Sequence, residues 1–81
     1  MHTMTLEIIT PGKELFKGEV SLVQLPGMDG LFEVLNNHAP LIAALKAGKV
    51  KTSNSQNQEQ LFDINGGIVE VLNNKVLVLA E

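Results

Sequence analysis

Short apolar runs, cut at intervals of about ten residues by Gly, Pro or Asn, constrain this chain more than any other feature. No stretch between the cuts carries a long amphipathic helical pattern, so the apolar residues have to be buried as strands. Met4-Thr5-Leu6-Glu7-Ile8 alternates strictly, as a strand with one buried face does. "PGKE", from Pro11 to Glu14, then turns the chain. The run from Leu15 to Leu25 alternates less cleanly, and its Gly18 marks a bulge or a close backbone approach. "LPGMDG" turns again before the strand "LFEVL".

After the insert "NNHAP", Leu41-Ile42-Ala43-Ala44-Leu45 fits either one helical turn or a buried strand, and periodicity does not separate the two at this length. Gly48–Thr52 and Gln60–Ile64 predict a hairpin whose exposed tip is the polar "SNSQNQE". "GGIVEVL" and "KVLVLAE" flank Asn73-Asn74. Asparagine tolerates positive φ, so this pair suits the mirror-image turn that matches strand twist. The expected fold class is all-β: a small two-sheet β-sandwich or flattened barrel of short strands, forming one domain over residues 1–81. Its predicted inward set is Leu6, Ile8, Val20, Leu22, Val34, Val50, Phe62, Ile64, Val69, Val71, Val76 and Val78. Each such side chain contributes roughly 1.5–3 kcal/mol on burial, against the entropy of ordering the chain.

A chain of 81 residues buries only roughly 60% of the surface its unfolded form exposes, so every strand has to contribute. With no cysteine, neither a disulfide nor a thiolate metal site helps; the 44% hydrophobic content supplies the core instead. The net charge is −3, and the six basic residues are all lysines, scattered along the chain. Phosphate recognition needs clustered cations and base reading favours the arginine fork, so nucleic acid is not an expected partner. No run is long enough to span a membrane and no leader pattern opens the chain, which predicts a soluble protein made in the cytosol, without direct membrane insertion. Attachment to a membrane complex through protein contacts stays open.

The residues offer little chemistry. A nucleophilic triad around His38 needs a nucleophile in a strained elbow, but Ser21 lies in a strand and Ser53 and Ser55 in the polar tip. His2, the other histidine, is near the terminus, so a metal site lacks ligands. Asp29 and Glu33 sit in or beside a turn, where carboxylates are ordinarily solvated. "GMDG" and "INGG" lack the Lys-Ser/Thr and the βαβ setting that phosphate-binding loops require. A carrier domain presents a lysine at a hairpin tip, whereas the best tip here is Asn73-Asn74 with Lys75 already in the strand. A ligand-binding barrel wants more aromatics than three phenylalanines. No catalytic residue, cofactor or metal is expected; a carrier domain or a generic protein-interaction module remains the alternative on these grounds alone.

The stretch "GMDGLFEVLNNHAPLIAALKAGKV" resembles the signature of the epsilon subunit of F-type ATP synthases. Gly27 and Gly30 fit its Gly-x-x-Gly turn, His38-Ala39-Pro40-Leu41 its His-Ala-Pro-Leu step, and Leu45 with Gly48 its Leu-x-x-Gly step. The opening "MTLEIITPGKELFKGEV" and the close "INGGIVEVLNNKVLVLAE" are similar too, so the likeness covers essentially the whole chain. Leu31-Phe32-Glu33 stands where the family commonly has Glu-Leu-Gly, and Asn36-Asn37 where it usually has Pro-Gly. Family members typically continue into a C-terminal helical hairpin that inhibits ATP hydrolysis and in some binds ATP; ending at Glu81, this chain is expected to have no such domain, no nucleotide site and no self-inhibition.

The resemblance implies a non-catalytic rotor part of a proton-translocating ATP synthase. Its partners would be the gamma subunit and the c-ring, between which it transmits rotation for ATP synthesis, peripheral to the cytoplasmic face of the bacterial inner membrane. Leu31, His38, Ala39, Pro40 and Leu41 are the expected partner-contact residues. Pro40 fixes one φ and holds Ala39 toward extended geometry, which shapes the loop before it docks.

Overall fold

In the computed structural model, which describes residues 2–81, seven strands follow one another with no helix among the described residues. They are β1 (Met4–Thr10), β2 (Lys13–Val20), β3 (Leu22–Gly27), β4 (Gly30–Leu35), β5 (Leu41–Ser53), β6 (Glu59–Leu72) and β7 (Lys75–Ala80). One continuous sheet contains them in the order β2-β1-β7-β6-β5-β3-β4. Every pairing is antiparallel except β1 with β7.

The spine is the β5–β6 ladder, which runs from Leu41↔Val71 to Ser53↔Glu59. Near its Leu41 end β6 pairs onward with β7, and through it with β1 and β2. Toward its Ser53 end β5 pairs instead with β3, and through it with β4. The sheet thus carries two wings on opposite flanks of the spine, and they fold over each other. Leu6 and Ile8 of β1 share one core cluster with Val23 and Leu25 of β3 and Val34 of β4, all at 0% exposure, which requires cover from both layers. The rings of Phe16 on β2 and Phe62 on β6 meet at 5.5 Å and tilt by 59°, an edge-biased arrangement that suits aromatic quadrupoles. At the corner between β2 and β3, the Ser21 amide and hydroxyl both donate to the Ser53 carbonyl, at 2.8 and 3.1 Å. The expected all-β class holds, with the two layers as halves of one continuous sheet.

Several strands are longer than the sequence predicts. Leu41–Leu45 is strand, and it is continuous with Gly48–Thr52 in the 13-residue β5. Gln60–Ile64 and the Gly66–Leu72 run are likewise one 14-residue strand, β6. Gly66 and Gly67 lie inside it, at the point where β6 begins to pair with β7. Their φ angles of +126° and +147° are open to glycine and costly for other residues. A Cβ on Gly67 would also fall 2.2 Å from the Leu79 carbonyl oxygen. The glycine pair therefore bends the strand and lets β7 approach.

The run Leu15–Leu25 breaks at Ser21 into β2 and β3, and that break inverts the face parity. Val20, Val23 and Leu25 are buried, while the expected core residue Leu22 is only half-buried. A one-residue slip moves every side chain to the other face of a strand, which accounts for the exchange. Phe62 is also half-buried, spending its ring on Phe16 at the margin of the core. The β1–β2 register shift falls between Ile8 and Ile9, away from Gly18. Gly18 is instead the close approach: the tip of the Phe16 ring would lie 3.2 Å from a Cβ there. The Pro11-Gly12 turn, the Asn54–Gln58 tip and the Asn73-Asn74 turn, with φ of +51° and +62° at the two asparagines, form as predicted.

Two glycine substitutions separate backbone strain from collision. Gly67→Ala is expected to cost roughly 3 kcal/mol or more, because strain adds to overlap with the β7 backbone. Gly12→Ala meets nothing within 4 Å and bears only the strain of φ +87°, so its cost should be about 1–2 kcal/mol. Urea unfolding of both variants checks the ranking; equal midpoints would rule out the close approach at Gly67.

Candidate partner-contact surface

The chemistry-bearing side chains stay dispersed. His38 is held by its own loop, with Nδ1 2.7 Å from the Ala39 carbonyl oxygen and its amide donating to Leu35 O at 3.1 Å. Ser21 is engaged with Ser53 and Asn54 carbonyls across the corner. Glu33 accepts from Gln24 Nε2 at 3.4 Å, while Asp29 sits in the β3–β4 turn. No group of three or more His, Cys, Asp or Glu side chains among the described residues is placed to hold a metal. Lys75 starts β7 and pairs with Glu7 at 3.2 Å rather than standing at a hairpin tip.

What the surface does carry is exposed aliphatic area. Leu31, at the start of β4, is 66% exposed, and Met28 in the adjoining turn is 61% exposed. Both line a shallow depression of about 500 Å³ with Phe32 and with Leu41 to Ala44 of β5. A second depression, about 380 Å³, is lined by Pro40, Leu41 and Ile42 with Glu70, Val71 and Leu72 of β6. Leu41 and Ile42 belong to both, so the two hollows form one continuous surface. Ile42, at 72%, is the most exposed of the large hydrophobic side chains.

Register explains the extent of this surface. Ile42 pairs with Glu70, which pairs with Leu77; Ala44 pairs with Ile68, which pairs with Leu79. Directly opposed residues of a ladder share a face, so these two rows lie side by side on the outside of β5, β6 and β7. Ile68, Leu72 and Leu79 are each about half exposed there. Glu70 stands among them with no salt-bridge partner among the described residues. Contiguous exposed apolar surface is a recurrent feature of interaction sites.

The sequence-predicted contact residues are only partly brought together. Leu31 and Leu41 share the first depression, and Pro40 joins Leu41 in the second. His38 and Ala39 line neither; they lie on the β4–β5 loop beside them, half-exposed and exposed. Met28, Ile42 and Leu72 escaped the sequence reading. A signal was present for Ile42: adjacent aliphatic residues of a strand point to opposite faces, so Leu41 and Ile42 cannot both turn inward.

The comparisons with known proteins agree in one direction. Residues 3–81 match the family described as "ATP synthase, Delta/Epsilon chain, beta-sandwich domain". The ATP synthase epsilon chain of Chlorobaculum tepidum is 53% identical over 77 residues, covering 95% of this chain and 88% of that one. The epsilon chain of Caulobacter vibrioides is 41% identical over 81 residues, covering all of this chain and 93% of its own length. That of Campylobacter concisus is also 41% identical, but the match takes in only 63% of it. Among solved structures, a chain of the Euglena gracilis mitochondrial ATP synthase (OSCP/F1/c-ring) superposes with a TM-score of 0.92 at 16% identity, over 99% of this chain and 51% of that chain. A chain from the central stalk and c-ring of the Tetrahymena thermophila enzyme gives 0.79 at 22% identity, over 95% and 62%. At those identities the likeness is one of fold. Sequence carries the kinship: the chain belongs to the delta/epsilon-chain family of ATP synthases, and residues 3–81 are its β-sandwich domain.

Proposed function

We propose that this chain is a non-catalytic rotor part of a proton-translocating ATP synthase, bound to the gamma subunit and seated on the c-ring. In this reading it lies at the cytoplasmic face of the bacterial inner membrane, held there by protein contacts alone. The observation that carries the proposal is the continuous apolar surface around Leu31, Leu41 and Ile42 on a sandwich whose His38 and Ser21 side chains bond to its own backbone. The role is mechanical. A shaft component has to be gripped on one surface and pushed on another without yielding between them, and close-packed interiors transmit strain rather than absorb it. The β5–β6 ladder extends from the contact loop to the far tip, so force applied at Leu41 reaches Ser53 through paired backbone.

Docking supplies the grip. Each exposed aliphatic side chain on this surface is worth roughly 1.5–3 kcal/mol when fully covered, and a partner cation opposite Glu70 would set register and exclude wrong partners. Leu31 and the His38–Leu41 loop form the leading edge, with Ile42 and Leu72 behind it.

Cysteine placed at position 31 or 38 is expected to crosslink to gamma or to a c-subunit loop in the assembled complex. Crosslinks arising only from the opposite tip, near Asn54, would reverse the orientation. Ile42→Lys, which sets a cation opposite Glu70 across the ladder, should leave unfolding stability within about 1 kcal/mol yet weaken gamma binding more than about tenfold. Titration calorimetry with the gamma subunit measures this, and unchanged affinity would dismiss the surface. The purified 81-residue chain should release no phosphate from ATP; turnover that disappears with His38→Ala would defeat the mechanical reading.

A further inference from the structure

We infer that Asn74 is the positioning residue of the contact loop, acting through Asn36 and Asn37 rather than by touching the partner. The inference rests on the reading of the His38–Leu41 loop as a docking element. Asn74 lies in the β6–β7 turn, 37 residues along the chain from Asn37, yet its side-chain amide reaches into the β4–β5 loop. Its Oδ1 accepts from the Asn37 amide at 2.7 Å. Its Nδ2 donates to Asn36 Oδ1 at 2.9 Å and to the Thr3 carbonyl at 3.0 Å. Both amide hydrogens are therefore used, and the orientation of the group is fixed: a backbone N–H faces one end and a carbonyl oxygen the other.

Three chain segments meet at this one side chain: Thr3 just ahead of β1, the loop leading into β5, and the β6–β7 turn. The loop has little else to hold it. Asn37 sits at φ +64°, the His38 amide closes a turn onto Leu35 O, and the His38 ring bonds only to its neighbour Ala39. Pro40 stiffens the exit but not the entry. The Asn74 amide supplies the entry constraint. A loop held in its docking conformation loses less entropy on binding, so the clamp acts on affinity without contributing contact area.

The position permits a clean removal. Asn74 has φ +62°, which glycine adopts freely, so Asn74→Gly deletes the amide while keeping the turn. Asn74→Asp retains an acceptor for the Asn37 amide and gives up the Thr3 bond, while Asn36 can turn its own amide to donate to the second carboxylate oxygen. Amide exchange at Asn37 in the folded chain and crosslinking from a cysteine at position 38 to its stalk partners in the assembled complex are read on the same variants. Loss of one hydrogen bond predicts Asn37 exchange about tenfold faster in Asn74→Gly, with crosslink yield falling several-fold. Asn74→Asp should keep Asn37 exchange within about twofold of the parent and retain more than half the crosslink yield.

If Asn74→Gly leaves either readout within about twofold of the parent, the proposal fails. Should that variant not fold, loss of both readouts in Asn74→Asp would overturn it equally. A parent chain whose cysteine at position 38 never crosslinks removes the docking reading, and the clamp's role with it, even when the Asn37 exchange result stands.

Discussion

The paired backbone of β5 and β6 is the constraint on which the remaining structure depends. On this ladder β7 runs along β6 toward the Leu41 end, and β3 runs along β5 toward the Ser53 end. Without it the two wings would be separate small sheets, each with an uncovered apolar face. With it they are forced together, and residues from all seven strands merge into one cluster. A core of mostly valine, leucine and isoleucine then suffices for a chain lacking cysteine. The charged pairs add little: Lys49 and Asp63 meet at 2.7 Å, but both are largely exposed, where such contacts are worth at most about 1 kcal/mol.

The hairpins were the most legible part of the fold because their signals are local. Asn73-Asn74 reveals its turn through residues that tolerate positive φ, and Pro11-Gly12 through a fixed φ followed by a free one. The length of β5 and β6 was hidden for the opposite reason. Glycine ordinarily punctuates strands, so Gly48 and Gly66-Gly67 read as ends, whereas here the strands run on: a Cβ on Gly48 would meet the Pro26 ring at 2.9 Å, and Gly67 lets β6 bend where the β7 backbone crosses. That crossing involves Leu79, far along the chain, and no local pattern contains it. Ser21 shows the same limit: the bonds that break the run there go to Ser53 and Asn54.

The proposed contact surface is legible as a motif and not as a shape. Leu31 and the His38–Leu41 step are recognisable in the chain, but their grouping with Met28, Ile42 and Leu72 follows from strand register, which only the folded sheet supplies. His38 attracts attention as the one histidine in an ordered loop. Among the described residues its ring bonds to the neighbouring Ala39 carbonyl, a contact that suits a shape element.

Asparagine ties these threads together at one end of the sandwich. Where the family commonly has Pro-Gly, this chain has Asn36-Asn37, a pair whose tolerance of positive φ already explains how the turn survives the exchange. Tolerance alone would make the replacement neutral. Pro-Gly offers no side-chain acceptor at the first position, whereas Asn36 supplies Oδ1 to the Asn74 amide while Asn37 supplies its backbone N–H. Three asparagines thus form one hydrogen-bonded unit across two turns that are far apart in sequence. The rigidity that proline would have built into the loop locally is provided here by a tertiary contact, which also fastens the loop to the hairpin beside the apolar face. Under the proposed rotor role that is the more useful arrangement, since a loop tied to the sheet is carried with it.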